Sequence, residues 1–337
     1  MKRLTAHLLL VAFTLSMSAS CLADFQYTET SKITGGAMIG TMKMLGAFSK
    51  DARNATKPQN STISVKGNKM RRESGEGTAE IWDLDGRRII HIDAKHQTYS
   101  IVTFDQMRAQ MEEARKKAAE QRAAKGKGQD PQVKMTPKIS ITPGTQTKQI
   151  LNRTAKEVKM RIDIEMESTD PKTKGQGGNM WTTSDQWRAP VTGYDELTRF
   201  NLRMAKEFEW LPSEIMGGSA QMAPAMAELR KNSVKMEGMP LLQNTSVGMT
   251  GNAQNPQAQQ SDQGGNPLTK GFGGLLGRKK KNKDDDAQSN GGSSSAGSGS
   301  LMDMTVEVTS ISTSKLDPAL FEIPAGYKQV DAKERGR

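Results

Sequence analysis

Residues 155–167 have the sequence AKEVKMRIDIEME, in which apolar and charged side chains alternate. The apolar positions of this stretch are Val158, Met160, Ile162, Ile164 and Met166. This period of two predicts a β-strand with one dry face and one wet face, because successive side chains of a strand point to opposite faces of its sheet. We therefore expect a sheet protein whose dry face carries methionine and isoleucine.

The same alternation recurs in two other parts of the chain. The apolar positions are Val133, Met135, Ile139 and Ile141 in the first part, and Met302, Met304, Val306 and Val308 in the second. Both parts are predicted to be strands with the same division into a dry and a wet face.

Residues 78–103 predict three short strands joined by tight turns. Asp85-Gly86 is a two-residue turn signal that favours positive φ, and it precedes a return strand at 87–93. A second polar turn leads into a third strand at 98–103. Short consecutive turns mean antiparallel neighbours, because parallel strands need long crossover connections.

Three segments predict helices: 105–132, 193–211 and 219–232. The far part of the first lacks large apolar residues, so we expect it to be an exposed extension. Thr192 and Asp195 have the spacing of a capping box at the start of the second helix. The buried stripe of that helix is predicted to comprise Leu197, Met204, Phe208 and Leu211.

The composition indicates that part of this 337-residue chain lies outside any core. Apolar residues make up 34%, below the ~45–50% of ordinary globular chains. Gly, Ser, Asn and Gln dominate residues 252–300, which predicts a disordered loop. We predict one discontinuous domain, 24–251 with 301–330, followed by a flexible tail at 331–337.

The N-terminus has the pattern of an export signal, which we predict to span residues 1–23. Lys2 and Arg3 precede a short apolar run, and the small residues that follow it give a cleavage site after Ala23. No later apolar run is long enough for a transmembrane helix. We expect a periplasmic or secreted protein. Lipid anchoring through Cys21 is the alternative.

Several motifs resemble one family of exported bacterial proteins, the domain of unknown function 4412 family. The resemblance rests on Lys66-Gly67-Asn68-Lys69-Met70-Arg71, Trp82-Asp83-Leu84-Asp85, Gln97-Thr98-Tyr99-Ser100, Thr103-Phe104-Asp105, Leu316-Asp317-Pro318, Leu320-Phe321-Glu322-Ile323-Pro324-Ala325-Gly326-Tyr327 and the Gly- and Lys-rich run from Gly271 to Lys280. That family is similar to the lipoprotein carriers (LolA/LolB-like). The resemblance implies an α+β fold: a curved antiparallel half-barrel sheet, covered on one side by about three helices, with an apolar hollow. It implies no catalytic or binding residues.

The chain contains 21 methionines, which allow three interpretations. Flexible thioethers suit an apolar groove for a lipid or peptide, and they are also soft ligands for copper(I). Plain core filling is the third interpretation and the one we favour. If a cavity exists, its candidate lining residues are Val158, Met160, Ile162, Ile164, Met166, Met302, Met304 and Val306.

Other chemistry finds little support in the sequence. His91, Asp93 and His96 form an H-x-D-x-x-H string, but His96 falls in a turn, so we interpret these as surface residues. No G-x-S-x-G motif is present. The basic run at 278–283 suits anionic lipid, but three aspartates follow it directly, which favours a solvated loop.

These observations favour a non-enzymatic binding or carrier protein for an apolar ligand, held on a Met-rich sheet face. The alternative is a structural or interaction protein of the cell envelope with a filled core and no ligand. We expect no cofactor, no metal and no nucleic acid, despite the net charge of +11. The predicted partners are a lipid, an acylated protein or an envelope protein, and we expect a monomer.

Overall fold

A computed structural model describes residues 24–46, 54, 56–124, 133–169, 177–209, 227–228, 231–251 and 299–331. The predicted signal peptide and residues 252–298 of the predicted loop lie outside these ranges. So do residues 219–226, 229 and 230 of the third predicted helix and residues 332–337 of the predicted tail.

Twelve strands and three α-helices make up the regular structure of the described residues. The strands are β1 (Phe25–Gly35), β2 (Gln59–Lys66), β3 (Lys69–Ser74), β4 (Thr78–Asp83), β5 (Arg88–Asp93), β6 (Thr98–Thr103), β7 (Val133–Ile150), β8 (Arg153–Ser168), β9 (Gly177–Ala189), β10 (Met239–Gly251), β11 (Ser300–Ser312) and β12 (Lys328–Gln329). The helices are α1 (Ala37–Gly46), α2 (Phe104–Ala124) and α3 (Tyr194–Glu207), and two short 3₁₀ turns cover Ser233–Met236 and Pro318–Phe321.

All twelve strands belong to one open sheet in the order β12-β6-β5-β4-β3-β2-β1-β11-β10-β9-β8-β7. Neighbouring strands run antiparallel, except that β12 pairs in parallel with β6. Most neighbours are also consecutive in the chain, as expected for strands joined by short turns. The exception at the centre is β11, which lies between β1 and β10. The strands on both sides of residues 252–298 therefore share one sheet.

The strand predictions hold where the alternation is strong. The strand predicted at 155–167 is β8, and the meander predicted at 78–103 is β4, β5 and β6. The two further alternating parts lie in β7 and β11. The return strand of the meander begins at Arg88, because Arg87 has a positive φ of 48° and belongs to the turn.

Two helix predictions hold and one detail is wrong. The helices predicted from Asp105 and Gly193 are α2 and α3, and residues 115–117, 119 and 120 in the far part of α2 are exposed, as the lack of large apolar residues predicts. The predicted capping box is wrong: α3 begins at Tyr194 after Gly193, whose φ is 84°, and no side chain caps it. Helix α1 was not predicted. It follows β1 directly and packs beside β11.

One face of the sheet carries the larger core, and helix α3 packs on it; we call this the α3 face. Phe25 on β1, Val65 on β2 and Phe200 on α3 are almost fully buried there. Phe200, one turn from Leu197, was absent from the predicted stripe. Phe104, at the start of α2, completes this core against Phe208 at a ring-centroid distance of 4.7 Å. Burial of this apolar surface is the main stabilising term of the fold.

The second core lies on the opposite face and joins the C-terminal segment to β4, β5 and β6. Ile81 and Ile90 of the sheet contact Leu316 and Phe321 of that segment. The Oδ2 atom of Asp24 accepts hydrogen bonds from Lys66 Nζ at 2.7 Å and from the backbone N–H of Leu316 at 2.6 Å. The carboxylate at the start of the described chain thus fixes the segment that ends it.

Candidate functional site

The eight predicted cavity residues share one face of the sheet. Directly paired residues of neighbouring strands lie on the same face. Met160 on β8 pairs with Ser184, Ser184 with Thr245, and Thr245 with Met304 on β11. Met304 in turn pairs with Ile33 on β1, the strand whose Phe25 and Tyr27 belong to the α3 face.

A second row confirms this arrangement. Ile162 pairs with Thr182, Thr182 with Val247, and Val247 with Met302. The β8 and β11 members of each row are three strand spacings apart, or about 14 Å. The structure therefore places both groups of candidates on the α3 face. One group lies on β8 and the other on β11, with β9 and β10 between them.

Val158 differs from the other seven candidates in how deeply its side chain is buried. Val158 is buried at 6% exposure. The remaining candidates are only half-buried: Met160, Ile162, Ile164, Met166, Met302, Met304 and Val306. Val308, two residues from Val306, is buried in the core beneath α3. The half-buried strip, which we define by these seven residues, therefore continues the core along the same face.

The strip has a polar middle that the sequence analysis missed. β9 and β10 contribute Thr182, Ser184 and Thr245 between the two apolar groups. Ser184 is 1% exposed and its Oγ accepts a hydrogen bond of 3.2 Å from Gln186 Nε2. The signal in the sequence was weak, because β9 and β10 mix hydroxyl, amide and apolar residues on one face.

Charged groups on the α3 face lie where the strip meets the core. Glu29 pairs with Val308 across the β1–β11 ladder, and Arg72 Nη2 lies 3.4 Å from its Oε1 atom. Burial raises the pKa of the Glu29 carboxyl, and Arg72 opposes that effect. Burial also raises the pKa of the neighbouring Tyr27 hydroxyl. Burial is therefore the largest influence on the pKa values of both groups.

The opposite face carries a polar groove of about 690 Å³ over β8, β9, β10 and β11. Its lining residues are Arg161, Asn179, Trp181, Thr183, Ser246, Thr250, Ser300 and Asp303. Sequence reasoning missed this groove. The available signals were a tryptophan at a wet-face position of a strand and the small residues Ser246, Gly248 and Thr250 at alternate positions of β10.

The two histidines of the H-x-D-x-x-H string belong to separate pairs. His91 Nδ1 lies 3.0 Å from Glu80 Oε1, whereas His96 Nδ1 lies 2.7 Å from Asp93 Oδ2. The hydrogen bond to His96 lowers the pKa of Asp93. Within the described ranges, no group of three or more His, Cys, Asp or Glu side chains is placed to hold a metal ion.

In the part of the chain that the structure describes, none of the helices has both the length and the apolar character needed to cross a bilayer. Comparison with protein-family models gives no match, and comparison with curated proteins gives none either. The resemblance to the domain of unknown function 4412 family therefore stays a prediction.

Proposed function

We propose that this is an exported, periplasmic, non-enzymatic binding or carrier protein that holds a lipid or acyl chain on its half-buried strip. We also propose that it belongs to the domain of unknown function 4412 family and that its sheet is a curved, LolA/LolB-like half-barrel. The observation that carries the proposal is the placement of seven half-buried apolar side chains on the face that already carries the core.

The chemistry of the strip supports an apolar ligand. Four of its seven residues are methionines, whose unbranched thioethers repack around ligands of different shape. Covering half-exposed apolar surface stabilises a complex by roughly 25 cal/mol per Å² of surface removed from water. The half-buried hydroxyls of Thr182 and Thr245 in the middle of the strip suit the ester or carboxyl end of such a ligand.

The direct test is extraction of the natively purified protein with organic solvent, followed by mass spectrometry of the extract for lipids. In parallel, a fluorescent fatty acid is titrated into the delipidated protein. We expect saturable binding in a one-to-one ratio. A protein that yields no lipid and does not bind the probe is not a carrier of this kind.

Substitutions locate the site. Ile164→Glu places a charge in the strip and is expected to abolish uptake of the probe while the protein still folds, because the native side chain is only half-buried. Thr142→Glu is the matched control: Thr142 is exposed on the opposite face of β7 and pairs with Lys159, which favours a glutamate. Equal binding by both variants would contradict the proposed site.

The second candidate function is a structural or interaction protein of the envelope without a ligand. It is favoured by helix α3, which fills the neighbouring part of the same face with Leu197 and Phe200. Under this alternative the strip is part of a closed core. Ile164→Glu would then unfold the protein in circular dichroism, whereas the carrier proposal expects a folded variant.

A further inference from the structure

The groove on the opposite face exists because β10 presents small side chains there. Ser246 and Thr250 flank Gly248, which has no side chain at all. A Cβ atom at Gly248 would lie 2.2 Å from Cζ2 of Trp181, far inside any real contact distance. The indole of Trp181 therefore lies across β10 over the space that a larger residue would fill.

The indole of Trp181 is one wall of the groove, and Arg161 and Asn179 line the groove beside it, both hydrogen-bonded to Asp163. Arg161 lies with its guanidinium carbon 5.7 Å from the centre of the Trp181 ring. Asp163 holds that guanidinium by two hydrogen bonds of 2.7 Å, to Nε and to Nη2. The same carboxylate accepts a bond of 3.1 Å from Asn179 Nδ2. Arg161 is thus fixed in place beside the ring.

Hydrogen-bonding capacity remains in the groove after these contacts. Within the described part of the chain, Oδ1 of Asn179 is buried and has no hydrogen-bond partner, which is costly for an amide oxygen. Four hydroxyl groups line the same space, from Thr183, Ser246, Thr250 and Ser300. They add both donors and acceptors, so the groove matches a ligand with many hydroxyls.

The charge of the groove excludes an anionic ligand. Its lining has one cation, Arg161, and one anion, Asp303. Because Asp163 already pairs with Arg161, the surroundings have no net positive charge to attract a phosphate or carboxylate. The lining therefore favours a neutral ligand.

We propose that this groove binds a neutral carbohydrate chain, with one sugar ring against Trp181 and its hydroxyls bonded to the surrounding polar side chains. A pyranose presents an apolar C–H face, which packs on an aromatic ring, and an equatorial rim of hydroxyls, which planar amide, carboxylate and guanidinium groups bind in pairs. The binding strength of such a site comes from both surfaces together. The site is separate from the half-buried strip, which lies on the other face of the same strands.

The test follows the indole N–H signals of the ¹⁵N-labelled full chain by NMR during titration with maltotetraose, chitotetraose and inorganic phosphate. The signal of Trp181 is assigned with Trp181→Phe. We expect a saturable shift of the Trp181 signal with at least one tetrasaccharide and none with phosphate. No saturable shift with either sugar, or a shift with phosphate alone, would overturn the proposal.

Two glycine substitutions make the test specific. Gly248→Ala forces the indole out of its position and is expected to weaken sugar binding by about tenfold, without removal of any polar group. Gly40→Ala in α1 is the control, because its Cβ would meet nothing within 4 Å. Sugar binding that is unchanged in Gly248→Ala, checked for folding by its dispersed NMR spectrum, would place the site elsewhere and refute the assignment.

Discussion

The hydrogen bonds of the Asp24 carboxylate allow a direct test of how the start of β1 is held to the C-terminal segment. Its Oδ2 atom accepts hydrogen bonds from Lys66 Nζ and from the backbone N–H of Leu316, and its side chain is 8% exposed. Lys66 Nζ also donates to the backbone oxygen of Leu316 at 3.0 Å. Asp24→Ala removes the acceptor and leaves both donors behind.

The loss of stability in Asp24→Ala follows from the two donors that no longer have an acceptor. A buried N–H left without a partner costs about 1–3 kcal/mol, and the loss of one member of a buried ion pair costs about 3–5 kcal/mol. Lys66 is 30% exposed, so water compensates part of the second amount. We expect Asp24→Ala to lower the free energy of unfolding by about 2–4 kcal/mol.

The assay is urea unfolding followed by tryptophan fluorescence. With a slope of about 3 kcal/mol per M urea, the midpoint should fall by about 1 M while the slope stays unchanged. Glu322→Ala is the control, because Glu322 is exposed on the same C-terminal segment and should change the stability by less than about 0.5 kcal/mol. An Asp24→Ala variant as stable as this control would refute the reasoning.

Two further predictions concern the α3 face. Phe200→Ala removes a side chain with 0% exposure and should cost about 3–5 kcal/mol in urea unfolding, whereas Leu202→Ala, at a position 63% exposed on the same helix, should change the stability by less than about 0.5 kcal/mol. Burial raises the folded-state pKa of Glu29 above the ordinary value of 4.5. The ionised carboxyl therefore lowers the free energy of unfolding at a pH above the raised pKa, and this destabilisation disappears as the pH falls through that pKa. Glu29→Gln should therefore gain stability over the native protein at about pH 7.5 and lose that advantage by about pH 4.5 in thermal melts; an advantage that does not change with pH would contradict the burial of this carboxyl.

The sequence predicted the strands whose two faces differ most. β8 alternates charged and apolar residues without interruption from Glu157 to Glu167, and β4 to β6 are separated by turn residues such as Asp85-Gly86. β1 was missed, because Thr28, Glu29, Thr30 and Ser31 are polar on both faces and only the pairing with β2 and β11 makes them a strand. Local patterns carry no information about such long-range pairing.

The strip and the polar groove show the same division between local features, which a sequence pattern reveals, and long-range pairing, which it does not. The common face of the seven strip residues follows only from the pairing through β9 and β10, but the dry face of β8 and that of β11 were each predicted from alternation, since parity along a strand is a local property. The polar groove depends instead on which strands are neighbours: Trp181 meets Gly248 because β9 pairs with β10, and it lies near Arg161 because β9 pairs with β8. The cap of α3 was also mispredicted, because the positive φ of Gly193 is a backbone feature that the Thr192–Asp195 spacing does not reveal.

The central position of β11 has a consequence for how the sheet assembles. One half-sheet is β2 to β6, whose strands are joined by short turns, and the other is β7 to β10, in which β10 follows β9 only after α3. β1 closes onto β11 through pairs such as Tyr27 with Ile311. The seam between the half-sheets therefore cannot form until the chain beyond residue 299 is available. Such distant pairing slows folding, because the intervening chain must first be closed into a loop. A chain that crosses a membrane N-terminus first would thus complete its sheet only when its last strands emerge on the far side.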